Sequence, residues 1–184
     1  MGEYPDYMPE GPEIRRAADR IAKRLVGREI EAIELHYPPI SEFQSVVSDS
    51  QVVSVASRGK AMLTRFDCDL SMYSHNQLYG RWTVNRRSTE LKWGRALRAE
   101  MLTESHAVRL WSATDVEIIP TCDEESHPFI SRLGPDVLDE SCTPEVIMEM
   151  LGEKRYRNRK ASNLMLDQSF LAGVGNYLRS EILH

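Results

Sequence analysis

The sequence has few cysteines and none of the paired spacings that bind zinc. Its three cysteines, Cys68, Cys122 and Cys142, lie far apart, and no two of them form a C-x-x-C pair. An odd and scattered set argues against a disulfide framework and is typical of a protein from a reducing cytoplasm. We therefore expect a cytoplasmic protein with no metal site within this stretch.

Long apolar runs are also missing. A membrane-spanning helix needs about 20 consecutive apolar residues, and no segment approaches that length. The first residues have neither the basic start nor the apolar middle of a secretory signal. The sequence therefore predicts a soluble protein with no membrane partner. A chain of 184 residues is long enough for one well-buried domain and part of a second.

The chain has no excess of positive charge, since 23 basic and 28 acidic residues give a net charge of −5. One segment departs from this average: residues 154–160 carry five basic side chains and no acidic one. Such a segment can follow the phosphates of a nucleic acid, or it can be a solvated linker. The segment by itself leaves both interpretations open.

Residues 8–13, Met-Pro-Glu-Gly-Pro-Glu, combine a proline with two nearby carboxylates. If Pro9 were the first residue, its secondary amine, with a reference α-amino pKa of roughly 7.7–8.0, would be a nucleophile at neutral pH. Glu10 and Glu13 would supply a proton donor and a charge stabiliser to the same centre. Within a chain the Pro9 nitrogen is an unreactive amide, and the same residues then suit an ordinary helix start.

The hydrophobic pattern indicates an α+β fold. Apolar residues recur at helical spacing over residues 14–26, and Gly27 then ends the helix. About eight short alternating runs follow, which predict an antiparallel β-sandwich or barrel with the N-terminal helix packed beside it. The predicted strands are 29–35, 52–57, 61–66, 70–73, 81–84, 96–102, 107–111 and 116–119.

The period becomes helical again from Thr143, a candidate N-cap followed by Pro144. We predict further helices over 161–171 and from Asn176 to the end of the chain. The polar segment 134–142, with its Gly and Pro, is the predicted domain linker. Residues 173–176 place glycines before a helix start, where backbone N–H groups can bind phosphate; a helix–turn–helix corner without ligand is the alternative.

Two further segments are candidates for function. Lys60 lies at a turn that enters an apolar strand, and an exposed lysine is the common alternative explanation. Gln77, Leu78 and Tyr79 form a hairpin tip that ends at Gly80. Apolar and hydrogen-bonding side chains at such a tip can fill the space left by an extruded base, although most hairpin tips do not.

These segments, taken in order, resemble the Fpg/Nei family of bifunctional DNA glycosylases, and within it the endonuclease VIII branch. The resemblance covers nearly all of residues 8–184 and is specific because the motifs occur in register. The motifs are MPEGPEIRRAAD at 8–19, RGKA at 58–61, YSHNQLYG at 73–80, HPF at 127–129, GPDVL at 134–138 and LAGVGNYL at 171–178.

The resemblance implies a mechanism. Pro9, freed as the N-terminus, would attack C1′ of a damaged nucleotide while Glu10 protonates the sugar ring. Lys60 would donate a proton during β-elimination, and Glu13 would help to organise the pocket. Gln77, Arg132 and Asn176 correspond to DNA-contacting positions, with Leu78 and Tyr79 beside Gln77 at the tip. The substrate would be an oxidised pyrimidine in damaged double-stranded DNA, and the protein a monomer.

The resemblance also divides the chain. Residues 8–133 would form the catalytic β-sandwich domain, 134–142 the linker, and 143–184 the first part of a helix–two-turn–helix (H2TH) DNA-binding domain. The family continues to a C-terminal zinc finger that this sequence lacks, so we expect a truncated product without that zinc. Residues 1–7 are interpreted as an extension that is not native or not retained. A non-catalytic module that binds damaged DNA and an oxidised-purine glycosylase remain as alternatives.

Overall fold

The structure is a computed structural model that describes residues 9–90 and 94–184. The extension 1–7 and Met8 therefore lie outside the described residues. The helices are α1 (Gly11–Leu25), α2 (Pro38–Ser41), α3 (Gln44–Val47), α4 (Pro144–Gly152), α5 (Ala161–Leu164) and α6 (Asn176–Leu183). The strands are β1 (Ala32–Leu35), β2 (Val52–Arg58), β3 (Ala61–Phe66), β4 (Leu70–His75), β5 (Arg81–Arg86), β6 (Leu97–Leu102), β7 (His106–Trp111) and β8 (Asp115–Pro120).

Helix α1 is amphipathic and presents one apolar face to the sheets. Ile14, Ala18, Ile21 and Leu25 are buried at intervals of three and four residues, which places them on one side of the helix. The helix begins three residues earlier than predicted because Gly11 and Pro12 already have helical geometry in its first turn. It packs mainly against β2.

The eight strands form two antiparallel four-stranded sheets, one in the order β1-β6-β7-β5 and the other in the order β2-β3-β4-β8. Apolar side chains of both sheets and of α1 form the main core. The predicted fold class, an N-terminal helix with an antiparallel sandwich of about eight strands followed by part of a helical domain, is confirmed. The strand predictions differ from the structure only at their ends.

Two short helices between β1 and β2 were not predicted from the sequence. Helix α2 begins with two prolines, and α3 begins at Gln44. The Gln44 side chain accepts a hydrogen bond from the Leu35 N–H at 2.7 Å and donates to the Ile33 carbonyl at 2.7 Å. This amide therefore satisfies the backbone of β1 along the edge where β1 ends its sheet in the described part of the chain. Periodicity does not reveal this role.

The helical region after β8 has its own small core, formed by Met150, Tyr156, Leu164, Phe170, Leu171 and Val174. Thr143 caps α4 as predicted, accepting a hydrogen bond from the Val146 N–H at 3.5 Å. The predicted helix over 161–171 is wrong beyond Leu164. Asp167 accepts bonds from the Ser169 N–H and Oγ at 3.0 and 2.6 Å, and this local turn competes with helix continuation.

The basic segment 154–160 is anchored to this helical region. The Tyr156 ring is buried, and its hydroxyl donates to the Ser169 carbonyl at 2.9 Å. Arg155 and Arg159 pair with Glu153 and Asp167 at 2.7 and 2.6 Å. Residues 154–160 are therefore a fixed turn, and their contact with nucleic acid stays a prediction.

Segment 134–142 joins the sandwich to the helices through backbone contacts. The Gly134 N–H donates to the Gln168 carbonyl, and the Ala172 N–H donates to the Pro135 carbonyl, both at 2.9 Å. A Cβ at Gly134 would come within 2.4 Å of the Ser169 carbonyl oxygen, so the close approach requires glycine. Within residues 9–90 and 94–184, no helix combines the length and the apolar character needed to cross a membrane.

Candidate functional site

The first turn of α1 carries Pro9, Glu10 and Glu13. Pro9 is half-buried directly before Glu10, the N-cap residue of α1. Glu10 and Glu13 form a reciprocal capping box in which the Glu10 N–H donates to Glu13 Oε2 at 3.2 Å. Glu13 Oε1 also accepts from Arg16 at 2.7 Å. Glu13 is thus held by the helix start and by Arg16, which suits a positioning role at this turn.

The Glu10 side chain is almost fully buried, with 5% of its surface exposed, and it reaches across to the start of α6. Its Oε2 accepts hydrogen bonds from the Gly175 and Leu178 N–H groups, both at 3.0 Å, and its Oε1 accepts from the Tyr177 N–H at 2.8 Å. The first N–H groups of a helix lack internal partners, and the helix dipole favours an anion there. The carboxylate of the α1 N-cap residue therefore caps α6, a helix far away in the sequence.

This contact decides between the two interpretations of residues 173–176. The N–H groups of Gly175, Tyr177 and Leu178 donate to Glu10, so they are not available to a phosphate. The phosphate-binding interpretation is wrong for these three groups. The Asn176 side chain lies on the surface at the first residue of α6 and is not part of this contact.

Glycines allow α1 and the 173–175 loop to approach this closely. The Gly11 N–H donates to the Gly173 carbonyl at 2.8 Å, and a Cβ at Gly11 would lie 3.0 Å from Gly173 Cα. Gly173 has a φ of +93°, a conformation that side chains rarely adopt. A Cβ at Gly175 would lie only 2.3 Å from Glu10 Oε1. The glycines of this motif make room for the carboxylate.

Lys60 lies in the tight turn between β2 and β3. Gly59 precedes it with a φ of +59°, and the Gly59 N–H donates to Asp136 Oδ2 at 2.8 Å. Burial lowers the pKa of the Lys60 ammonium from its usual value, and the nearby Glu10 carboxylate opposes that shift by attraction. Lys60 and Glu10 are therefore electrostatic neighbours, and a lysine with a lowered pKa gives up its proton more readily than an exposed lysine does.

Gln77, Leu78 and Tyr79 form the exposed tip between β4 and β5. Leu78 and Tyr79 are 65% and 69% exposed, which is unusual for large apolar side chains. Strand register places this tip at the same end of the sheet as Lys60, because Ala61 pairs with His75, two residues before Gln77. The structure thus brings Pro9, Glu10, Glu13, Lys60 and Asn176 to one junction, with the tip at the same sheet end.

Arg132 lies at the end of a short 3-10 helix, Ile130–Arg132, between the sandwich and the helical region. Its Nε donates to the Pro128 carbonyl at 2.5 Å. Arg132 is also close enough to the buried Tyr73 of β4 to influence its titration. Its side chain is exposed and charged, so it can meet a phosphate on the surface near the junction.

Comparison with known proteins agrees with this geometry. Residues 8–114 match the model of the formamidopyrimidine-DNA glycosylase N-terminal domain. Endonuclease 8 from Escherichia coli (strain 55989 / EAEC) is 48% identical over 176 residues, which are 96% of this chain and 67% of the relative. The relationship therefore includes the site residues and the helical region.

The chain belongs to the formamidopyrimidine-DNA glycosylase family. The resemblance found in the sequence, including its likeness to endonuclease VIII, is thereby confirmed.

Solved structures of this family share the fold. A Lactococcus lactis formamidopyrimidine-DNA glycosylase, non-covalently bound to DNA that contains an AP site, matches with a TM-score of 0.76 at 20% identity, covering 95% of this chain and 67% of that chain. The wild-type L. lactis enzyme in complex with DNA containing an oxidised pyrimidine also matches with a TM-score of 0.76, at 21% identity and with the same coverage. At these identities the likeness concerns the fold.

Two residues that contact neighbours of the candidate site, Asp136 beside Lys60 and Asp115 at the tip, were not singled out from the sequence. The Asp136 carboxylate accepts a hydrogen bond from the Gly59 N–H beside Lys60. Its position after Gly134-Pro135 was the available signal, since Asp often bonds nearby backbone N–H groups in turns. Asp115, whose carboxylate contacts Gln77 at 3.4 Å, lies in an ordinary strand and gave no such signal.

The described residues offer no metal centre. Within 9–90 and 94–184, no group of three or more His, Cys, Asp or Glu side chains is arranged to hold a metal ion. The three cysteines are free and dispersed.

Proposed function

We propose that this protein acts in base excision repair as a DNA N-glycosylase and AP lyase on oxidised pyrimidines in double-stranded DNA. Membership of the formamidopyrimidine-DNA glycosylase family and 48% identity to an E. coli endonuclease 8 support the proposal. Two structural relatives were solved in complex with DNA. In one complex the DNA contains an AP site, and in the other it contains an oxidised pyrimidine.

The observation that carries the proposal is the meeting of Pro9, Glu10 and Lys60 at one junction. Glu10 follows Pro9 directly, and its carboxylate is fixed by three N–H donors from α6. The Lys60 ammonium is a neighbour of that carboxylate and has a lowered pKa. A nucleophile, a carboxyl group and a lysine able to move a proton are the groups that a glycosylase and lyase reaction requires.

The first chemical stage uses Pro9 as its nucleophile, which requires an active form that begins at Pro9. The proline nitrogen donates its electron pair to C1′ of the deoxyribose, and the C1′–base bond breaks with its electrons passing to the leaving base. The attached nitrogen loses its proton, Glu10 donates a proton to the ring oxygen, and the bond from C1′ to that oxygen breaks as the nitrogen forms a double bond to C1′. The product is an iminium ion that links Pro9 to C1′.

The second stage breaks the DNA strand. The iminium ion withdraws electrons, so a proton passes from C2′ to water and the C2′–H electrons form a C2′–C3′ double bond. The bond from C3′ to its phosphate oxygen breaks, with its electrons passing to phosphate. Lys60 donates a proton during this β-elimination, and its lowered pKa suits that task. Glu13 positions the first turn of α1 through its contacts with Glu10 and Arg16.

Recognition of the lesion uses the exposed surface around this junction. Leu78 and Tyr79 would enter the space left by the extruded nucleotide, and Gln77 would meet the base that remains. Arg132 and Asn176 would hold phosphates beside the lesion. As part of the same proposal, we expect a monomer that acts on the DNA of a bacterial cell, in its cytoplasm.

Borohydride trapping tests the proposal. The protein begins at Pro9 and extends to the C-terminus that its gene encodes. It is incubated with a thymine glycol duplex and sodium borohydride. Reduction of the iminium ion should give a covalent protein–DNA adduct. The matched control retains residues 1–8, so that the Pro9 nitrogen is an amide, and it should give no adduct.

The other outcomes identify the alternatives. Protein that retains the damaged duplex specifically but forms no adduct would be a non-catalytic lesion-binding module, and the proposal would be rejected. Faster excision of 8-oxoguanine than of thymine glycol would instead place the protein with the oxidised-purine glycosylases.

A further inference from the structure

The exposed tip holds a strained backbone conformation. Gln77 has a φ of +48°, a left-handed conformation that a residue with a side chain rarely adopts. The neighbouring Leu78 and Tyr79 are largely exposed, so packing of these side chains does not hold the turn. Hydrogen bonds must fix it instead.

The backbone of the tip is held from both sides. His75 Nδ1 accepts a hydrogen bond from the Gln77 N–H at 3.1 Å. The Gly80 N–H donates to the Asn76 carbonyl at 2.7 Å, and Arg95 donates to the Tyr79 carbonyl at 2.6 Å. A Cβ at Gly80 would lie 2.6 Å from the Asn76 carbonyl oxygen, so glycine is required at the end of the turn.

The Gln77 carboxamide lies against the start of β8. Its Nε2 donates to Asp115 Oδ2 at 3.4 Å, and its Oε1 accepts from Thr114 Oγ1 at 3.3 Å. A carboxylate can only accept hydrogen bonds, so the nitrogen end of the amide must face Asp115. The two contacts together fix which end of the amide lies on which side.

Asp115 is itself held in place. It pairs with His75 in the β4–β8 register, and its Oδ2 also accepts from the Tyr73 hydroxyl at 3.4 Å. Burial and the Asp115 carboxylate both raise the pKa of Tyr73, so this hydroxyl keeps its proton and remains a donor. The orientation of Gln77 thus rests on a fixed strand.

We propose that Asp115, with Thr114, is a positioning residue that fixes the order of donor and acceptor on Gln77 and thereby determines which purine is preferred opposite the lesion. This inference rests on the proposed function, in which Gln77 meets the remaining base. One hydrogen of Nε2 and one lone pair of Oε1 stay available beside the Asp115 and Thr114 contacts.

The order matters because the two purines present opposite patterns. On the Watson–Crick edge, adenine has a donor at position 6 and an acceptor at position 1, whereas guanine has an acceptor at position 6 and a donor at position 1. An amide held in one orientation pairs with one of these edges in two hydrogen bonds and opposes the other. A bidentate pair of this kind discriminates between bases by roughly 5-fold or more.

The experiment compares excision of a base lesion opposite adenine and opposite guanine. The wild-type protein, in the active form that begins at Pro9, should prefer one purine by about 5-fold or more in kcat/KM. Asp115→Asn can both donate and accept, so Gln77 can turn over, and the preference should fall towards equality. Glu117→Gln removes the same charge two residues along β8, where Glu117 pairs with His127, and it should retain the wild-type preference.

Strand cleavage of a single-stranded abasic substrate, which has no opposite base, separates this inference from the proposed function. Cleavage at the wild-type rate by Asp115→Asn, together with a lost purine preference on duplexes, would support the positioning role. An unchanged preference in Asp115→Asn, or equal wild-type rates opposite both purines, would overturn the inference while leaving the glycosylase activity established. Absence of cleavage by the wild type on both the single-stranded substrate and the duplexes would instead reject the proposed function.

Discussion

At the scale of single residues, the space beside Gly175 is the most restrictive feature of the site. A Cβ there would lie 2.3 Å from Glu10 Oε1, and that oxygen is fixed by its bond to the Tyr177 N–H. We predict that Gly175→Ala displaces the Glu10 carboxylate, reduces borohydride trapping at least about 10-fold and destabilises the fold by about 1–3 kcal/mol. Trapping rates and denaturant unfolding measure the two effects.

Gly152→Ala is the matched control for this substitution. Gly152 is the last residue of α4, and a Cβ there would meet no atom within 4 Å. Alanine is a better helix former than glycine, so this variant should be as stable as the wild type or slightly more stable, with full trapping. Equal trapping by the Gly175 and Gly152 variants would contradict the role given to the space at Gly175.

The lowered pKa of Lys60 predicts a pH-dependent stability. Between that lowered pKa and the usual value of 10.5, the unfolded chain binds more protons than the folded chain, so stability rises with pH in this window. Lys60→Met removes the titration. We therefore expect the variant to have its largest gain in Tm over the wild type near neutral pH and a smaller one as the pH approaches about 10. A gain in Tm that grows with pH would contradict the prediction, because it would show that burial is not the main influence on the pKa of Lys60.

At the scale of elements, a buried ion pair joins β3, β4 and the 3-10 helix Thr121–Ser126. Glu124 is 5% exposed; it accepts from Arg65 Nη2 at 2.6 Å and from Ser71 Oγ at 2.6 Å. Removing one partner of a buried pair leaves the other charge uncompensated. We predict that Glu124→Gln lowers the free energy of unfolding by about 3 kcal/mol, measured by urea denaturation.

The neighbouring Glu125 provides the control for this pair. Its side chain is 71% exposed and pairs with Arg58 at 2.7 Å, so solvent screens the interaction. Glu125→Gln should change the free energy of unfolding by less than about 1 kcal/mol. Similar losses in both variants would mean that burial does not determine how much the Glu124–Arg65 pair contributes to the free energy of unfolding.

The elements also show which features a sequence can predict. Strand periodicity and the cap at Thr143 are local signals, and the corresponding elements were predicted with small errors at their ends. The predicted helix over 161–171 failed because the bonds of Asp167 to Ser169 compete with helix geometry. The β1 edge is satisfied by Gln44, a contact nine residues away that no periodic pattern records.

At the scale of the whole molecule, the candidate site lies where the β-sandwich and the helical region, each with its own core, contact each other. The sandwich core includes Ile14 and Met72, whereas the helical core includes Tyr156 and Phe170. The residues expected to be catalytic were named from motifs that lie far apart in the sequence. Their convergence was implied by family resemblance alone, because composition and spacing do not reveal that Glu10 reaches α6 or that Asp136 reaches Gly59.

The Glu10 carboxylate, proposed above as the proton donor, also joins the two parts, and this coupling is measurable. Glu10→Gln replaces one acceptor oxygen by an NH₂ donor, so at least one of the three N–H groups of α6 loses its partner. A hydrogen bond to a charged group contributes about 1.5–3 kcal/mol, so amide exchange over residues 175–178 should accelerate roughly 10-fold or more, while amides in the middle of β3 remain protected. Hydrogen–deuterium exchange by mass spectrometry resolves both segments.

Glu13→Gln removes the same charge from the same turn, but its contacts are with Glu10 and Arg16, so it should leave residues 175–178 protected. If both variants accelerated β3 and residues 175–178 alike, Glu10 would stabilise the fold as a whole, and the junction would not open on its own.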